Sequence, residues 1–407
     1  MQLLIRPTPF SDESLESYLL RLSDANFFES YQELSDALWQ WLYEHDHEAA
    51  GAFPKELHLV NVYHAHQTSS FRVRALALVE KLAGLEISTL TQLALMHSAI
   101  RFSGKAAVFR NDIDIPRSFL RVAGVPICPQ CIKEQTYIRQ FWHLKHYNAC
   151  HIHNCDLLKT CPNCNVEINY MISEKISHCE CGFDFSEASL PDAIRETINL
   201  SGFVVGQQVD STNNFFNSSN LSFRYGALLW FNERYCKLVK NQNLVMTDCF
   251  EYFEKWPDVL YLELNQQVEN AHFKQTKLLN HTSFEDVFGT LLKGSAYLPT
   301  AELNKNFILK AIIEYFVNLI GNNPKSKEPN MADLLLNINE AAVLLCTSTE
   351  QVYRLYQEGH LKLVSNLKLH VKLPAYQPAF YLRQVIELRI AKMQSQRDGQ
   401  NKYVPAW

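Results

Sequence analysis

No segment of this 407-residue chain is long and apolar enough to span a bilayer. The most apolar late stretch, Phe307 to Ile320, carries Lys310 and Glu314 and falls short of the ~20 residues a membrane helix needs. The opening segment Met1 to Phe10 is too short for a signal peptide's apolar core and is broken by Arg6 and two prolines, so a cytoplasmic location and no membrane partner are expected. An excess of positive charge is also missing. The formal net charge of -5 excludes coating of nucleic acid by bulk electrostatics and leaves only a local basic face.

The chain lacks the motifs of common enzyme classes. It contains no phosphate-binding P-loop, no G-x-S-x-G elbow, no G-x-G-x-x-G fingerprint and no H-E-x-x-H. A zinc deaminase needs H-x-E upstream of P-C-x-x-C. The one H-x-E here, His178-Cys179-Glu180, follows both C-P-x-C pairs. A non-enzyme is expected. With 47% hydrophobic and 20% charged residues, the composition excludes a disordered or fibrous chain, and the length suggests two to three domains.

What the chain does have is helical periodicity. Leu15, Tyr18, Leu19 and Leu22 fall on one helix face behind the candidate caps Ser11 and Asp12, and Tyr31, Leu34, Leu38 and Trp41 continue the pattern until Gly51 to Pro54 break it. A helix from Arg72 to Ala83, stopped by Gly84, is followed by a second helix that Ser88 can cap, which is the outline of a helix-turn-helix. The stretch from Arg101 to Arg121 reads as basic and irregular. His45-Asp46-His47-Glu48 reads as an exposed polar turn.

Eight of the eleven cysteines lie between Cys128 and Cys181. That crowding, with an odd total, points to metal rather than disulfides. The pairs Cys128/Cys131, Cys150/His153, Cys161/Cys164 and Cys179/Cys181 supply eight ligands, enough for two closed tetrahedral zinc sites: Cys128, Cys131, Cys150 and His153 for one, Cys161, Cys164, Cys179 and Cys181 for the other. His151 and Cys155 also neighbour Cys150, and His153 is preferred because its two-residue gap matches the other knuckles.

Beyond the turn-rich stretch Asp210 to Ser222, residues 223 to 320 read as a helical domain, with Tyr225, Leu228, Leu229, Phe307, Ala311, Ile312 and Tyr315 in its core. Gly321 to Asn330 reads as a linker to a final module. From Lys325 to Trp407, eleven Lys and Arg face seven Asp and Glu, leaving the rest of the chain at -9. In this module Ile338, Ala341, Ala342 and Leu345 share a helix face, and Ser348 with Gln351 makes a capping box for a next helix that buries Val352 and Leu355 and ends at Gly359, a compact helix-turn-helix. Leu361 to Leu373 reads as a wing, and Phe380 to Met393 as a closing helix with Val385, Leu388 and Lys392 along one side. This outline resembles MerR and excisionase-like winged helix modules. Gln351, Arg354, Lys362, Lys368 and Lys372 are its candidate partner or nucleic-acid contacts, although Glu358 balances Arg354.

The expected fold is therefore mainly α with small zinc-ribbon β elements. Its parts are an N-terminal helix-turn-helix domain (1–120), tandem zinc modules (121–190), a helical domain (191–322) and a winged helix-turn-helix (331–407). Arg6 to Asn26 (RPTPFSDESLESYLLRLSDAN) and Ile127 to Cys164, with Tyr137, Trp142, the Cys150-x-x-His153 knuckle and Leu158, resemble the signatures of the TniQ family of transposition targeting proteins. His143 departs from the Arg that many members carry after the Trp.

The size and the FYLRQVIEL ending are most similar to the short TniQ of bacterial transposons that carry a type I-F CRISPR effector. That resemblance implies a homodimer docking on the crRNA-processing and backbone subunits of a guide-RNA Cascade complex and recruiting the AAA+ regulator TnsC, with DNA contacted indirectly. The alternative is a direct site-specific DNA-binding selector of the TnsD type.

Overall fold

The first helix, Leu15–Ala25, starts at Ser14, whose hydroxyl accepts from the Ser17 amide at 3.2 Å. Ser11 and Asp12, expected as caps, lie further out, and Asp12 is used elsewhere. Leu15, Tyr18, Leu19 and Leu22 are buried as their spacing predicts. Helix Tyr31–His45 is capped by Ser30 and buries Tyr31, Leu34, Leu38 and Leu42, with Leu42 taking the place expected for Trp41. Gly51 lies inside a short further helix, His47–Ala52. Two acidic residues at its start have defined work: Asp46 caps that helix, and Arg74 pairs with both Asp46 and Glu48 in its first turn.

The computed structural model describes residues 1–66, 68–208, 220–235, 242–274, 276–364 and 374–397. They form two compact units, Met1–Arg101 with Lys105–Tyr225, and Phe102–Gly104 with Gly226–Trp407, and the division falls within helix Leu221–Tyr235. Among the described residues no helix is long and apolar enough to cross a membrane. The structure is mostly helical with small antiparallel sheets.

In the first unit, helix Ser69–Ala83 begins three residues earlier than expected and ends at Gly84. With φ +66° that residue is in the left-handed region glycine adopts without penalty. The next helix, Thr89–Leu93, has only five residues, and the Ser88 hydroxyl does not cap it. Glu80 replaces that cap: its buried carboxylate accepts from the amides of Ser88 (3.0 Å), Leu90 (2.7 Å) and Thr91 (3.4 Å). A carboxylate at a helix N-terminus satisfies orphan donors and the helix dipole together.

The stretch read as irregular is a three-stranded antiparallel sheet of β1 (Met96–Phe102), β2 (Lys105–Arg110) and β3 (Ile113–Pro116). Two-residue turns join the strands at Ser103-Gly104 and Asn111-Asp112, with positive φ at all four positions. Such turns match the natural strand twist, and these dipeptides were the overlooked signal.

In the second unit, aromatic side chains build the core. Trp256 packs against Trp230 (5.9 Å), Phe253 (5.5 Å) and Phe307 (5.5 Å), and Phe284, Phe288 and Phe316 form a neighbouring cluster. The expected Leu228, Leu229, Ala311, Ile312 and Tyr315 are buried, and Phe307 is half-buried. Gly226 permits a close approach, because a Cβ there would stand 2.6 Å from the Leu298 carbonyl oxygen.

At the C-terminal end, helices Ile338–Leu345 and Thr349–Gln357 meet at a turn in which Cys346 is left-handed. Ser348 caps the second helix by accepting from the Gln351 amide. The reciprocal capping box forms at Asn337–Glu340. β4 (Leu335–Leu336) pairs with β5 (Phe380–Tyr381), and helix Leu382–Arg397 follows. Its buried side holds Leu382, Val385, Ile386 and Arg389, while Leu388 and Lys392 are half-buried. Arg389 is tolerated there because it donates to the Leu344 carbonyl at 2.7 Å. Most of the expected wing (365–373) lies outside the described residues.

Removing the Glu80 cap leaves buried donors unsatisfied. Glu80→Ala is expected to destabilise the protein by ~3 kcal/mol, read as a lower denaturation midpoint at unchanged slope.

Candidate metal centres

Between Cys128 and Cys181 regular structure is sparse: one turn and a half of helix at Pro129–Glu134, a four-residue 3-10 turn at Gln140–His143 and a four-residue helix at Tyr170–Ser173. Local hydrogen bonds place the donors. Pro129 opens its helix directly after Cys128, so Cys131 falls on the first turn. The Cys150 carbonyl accepts from the Asn154 amide at 2.8 Å, and the Cys150 amide donates to the Cys155 carbonyl at 2.8 Å, folding 150–155 into a closed turn. The Cys161 carbonyl likewise accepts from Asn165 at 2.8 Å, and the Cys179 carbonyl from Gly182 at 2.9 Å.

These turns bring the eight expected residues into two groups, Cys128/Cys131/Cys150/His153 and Cys161/Cys164/Cys179/Cys181, with the donor atoms of each within 4.8 Å of one another. In the first group Cys131 Sγ is 3.7 Å from Cys150 Sγ, and His153 Nδ1 lies 3.4 to 3.6 Å from the three sulfurs. In the second, Cys161–Cys181 and Cys164–Cys179 are 3.6 and 3.5 Å apart. Zinc–sulfur bonds of ~2.3 Å in a tetrahedron put ligand atoms about 3.8 Å apart, so each group has the size and donor chemistry to hold one such ion.

The two groups differ in setting. Cys128, Cys131 and Cys150 are buried, and hydrogen bonds from Cys128 and Cys131 hold the Cys150 thiol well below its usual range. His153 offers Nδ1 inward while Nε2 lies 3.0 Å from Glu134, a carboxylate that orients the imidazole. In the second group only Cys161 is fully buried. There the Asn163 amide donates to Cys181 Sγ at 3.5 Å and draws that thiol down to about 6, toward the ligating thiolate form.

The other neighbours of Cys150 stand outside the group. His151 Nδ1 is 2.7 Å from the Tyr147 hydroxyl, and Cys155 Sγ touches Cys128 alone among the four donors, at 3.7 Å. On the C-terminal module Arg354 and Lys362 are exposed and Gln351 is half-buried, whereas Lys368 and Lys372 lie outside the described residues.

The sequence reading missed how the opening segment serves this region. Asp12 accepts from Tyr137 Oη (2.8 Å) and Arg139 (2.5 Å). Glu13, fully buried, accepts from Arg21 (2.7 Å) and Ser17 (2.9 Å). The Ser14 hydroxyl meets Tyr170 Oη at 2.8 Å, which meets His143 Nε2 at 2.9 Å. Burial pushes His143 down to about 3, so this departure from the usual Arg is a neutral core residue within a hydrogen-bonded chain. Asp12 and Ser14 thus dock the start of the first helix onto the cysteine region, while Glu13 holds Arg21 and Ser17 within that helix, and Ser17 Oγ in turn accepts from the Ile138 amide at 2.9 Å.

The purified chain is expected to carry about two metal ions, and Cys161→Ser about one, by elemental analysis. Glu134→Gln should weaken metal binding at the first group ~10-fold in a chelator competition and leave the second unchanged.

No curated protein matches the chain. Residues 4–157, from the opening segment through the first donor group, match the TniQ family model. Over residues 4–157 the chain is thus similar to the TniQ family.

Proposed function

We propose that this protein is a non-catalytic targeting adaptor of a transposon. It acts as a homodimer, docks on the crRNA-processing and backbone subunits of a guide-RNA Cascade complex, and recruits the AAA+ regulator TnsC for DNA integration. The observation that carries the reading is the match of residues 4–157 to the TniQ family in a chain whose two donor groups each supply a full set of four protein ligands. We take the ions to be zinc, which thiolate-rich tetrahedral sets of this size favour. A four-ligand site leaves no open position for a substrate or activated water, so the metal's part is structural: it braces a stretch with little regular structure of its own.

The charge pattern supports a role in which the guide, not this chain, reads sequence. On helix Thr349–Gln357 and its cap, exposed Glu350 and Glu358 flank Arg354, and such a balanced face is a poor reader of base edges. A direct DNA reader of the TnsD type would need a basic helix free to enter the major groove. In the N-terminal pair, the second helix has five residues and buries Leu90 and Leu93.

Binding across a salt series separates the two. The adaptor should bind a cognate guide-RNA effector complex stoichiometrically and show negligible affinity for random or specific duplex DNA. Sequence-selective duplex binding without effector, falling with a log–log salt slope of ~0.9 per neutralised phosphate, would replace the adaptor reading with direct target selection.

A further inference from the structure

We infer that Cys155 is a reserve ligand of the first metal centre, able to take the coordination position of His153. The inference rests on the zinc reading above and concerns which side chains can complete that site. Cys155 is buried, with 4% of its surface exposed, and its sulfur lies 3.7 Å from Cys128 Sγ. That is the same separation as between Cys131 and Cys150 within the donor group, so Cys155 already stands at ligand-to-ligand distance from one ligand.

The backbone explains how one position can have two occupants. His153 and Cys155 leave the same closed turn, on either side of Asn154, whose φ of +55° reverses the chain between them. The Cys155 carbonyl is held by the Cys150 amide at 2.8 Å, and its strand-like pairing with Asp192 fixes the other side. The Cys155 backbone is therefore anchored to the ligand loop, and a change of χ1 rotamer re-aims its sulfur without moving the chain. His153 is the outer member of the group, half-buried and tied through Nε2 to the exposed Glu134. Of the four donors it is the one that can swing out into solvent.

The exchange balances simply. One metal–nitrogen bond breaks and one metal–sulfur bond forms, the imidazole leaves neutral, and the Cys155 S–H proton passes to solvent. The site changes from three thiolates and an imidazole, net about -1 with the ion, to four thiolates, about -2. Keeping the smaller charge in a buried site favours His153 as resident and Cys155 as substitute. The exchange lets the centre keep its ion when the imidazole is lost or displaced.

The test uses the full chain with His153→Ala, Cys155→Ala and the double variant, measuring zinc content and the absorption of the cobalt-substituted forms. The second centre remains in all of them as an internal reference. Wild type and both single variants should hold about two ions per chain, and the double variant about one. In His153→Ala the sulfur-to-cobalt charge-transfer band should strengthen, as thiolate ligands rise from seven to eight. If the double variant does not fold, this band decides alone. Loss of an ion in His153→Ala, retention of it without the stronger band, or unfolding of Cys155→Ala with His153 intact would each overturn the reserve role. A wild-type chain without metal would instead overturn the zinc reading itself.

Discussion

The gathering of eight sulfur and nitrogen donors into two tetrahedron-sized groups is the constraint on which the centre of this protein depends. From Cys128 to Cys181 there is too little helix or strand to define a fold through backbone ladders, and the second donor group is largely exposed. Neutral thiols packed at 3.5 to 3.7 Å contribute little cohesion, whereas a tetrahedral ion couples binding energy directly to folding. The local turns at Cys150, Cys161 and Cys179 prepare the geometry, and an ion held by these donors would supply energy to fix it.

That platform is continuous with the N-terminal helices of the first unit through polar contacts. Asp12 and Ser14 stand at the start of the first helix, yet their side-chain partners Tyr137, Arg139 and Tyr170 lie more than a hundred residues away. Backbone pairing reinforces them: Ser14 donates to the Ile138 carbonyl at 2.9 Å and Gln140 to the Asp12 carbonyl at 2.7 Å. Because Glu13 and the Ser14–Tyr170–His143 chain are buried, losing one partner strands another, which makes this junction rigid.

Much of the periodic structure was legible in the sequence. The faces of Leu15–Leu22 and Ile338–Leu345, and the Gly84 stop, follow from side-chain spacing and backbone sterics alone. The sheet at 96–116 was not read, because its strands are basic and mostly exposed on one side, and their signal lay in two turn dipeptides. The Ser88 cap was misassigned for a related reason: Glu80, eight residues away along the chain, reaches the same donors, and no local pattern announces it.

The sequence by itself determined which atoms are available for metal, since closely spaced thiol pairs have few other uses, and it determined that common catalytic motifs are missing. Only the tertiary structure decided which neighbour of Cys150 faces the donor group. His151, His153 and Cys155 all lie within five residues of Cys150, and spacing separates them weakly. The turn closed by the Cys150–Asn154 and Cys150–Cys155 hydrogen bonds turns His153 inward, leaves His151 on Tyr147, and parks Cys155 beside Cys128. Ligand identity is a matter of direction as well as proximity, and direction is set by backbone hydrogen bonds that only the folded chain makes.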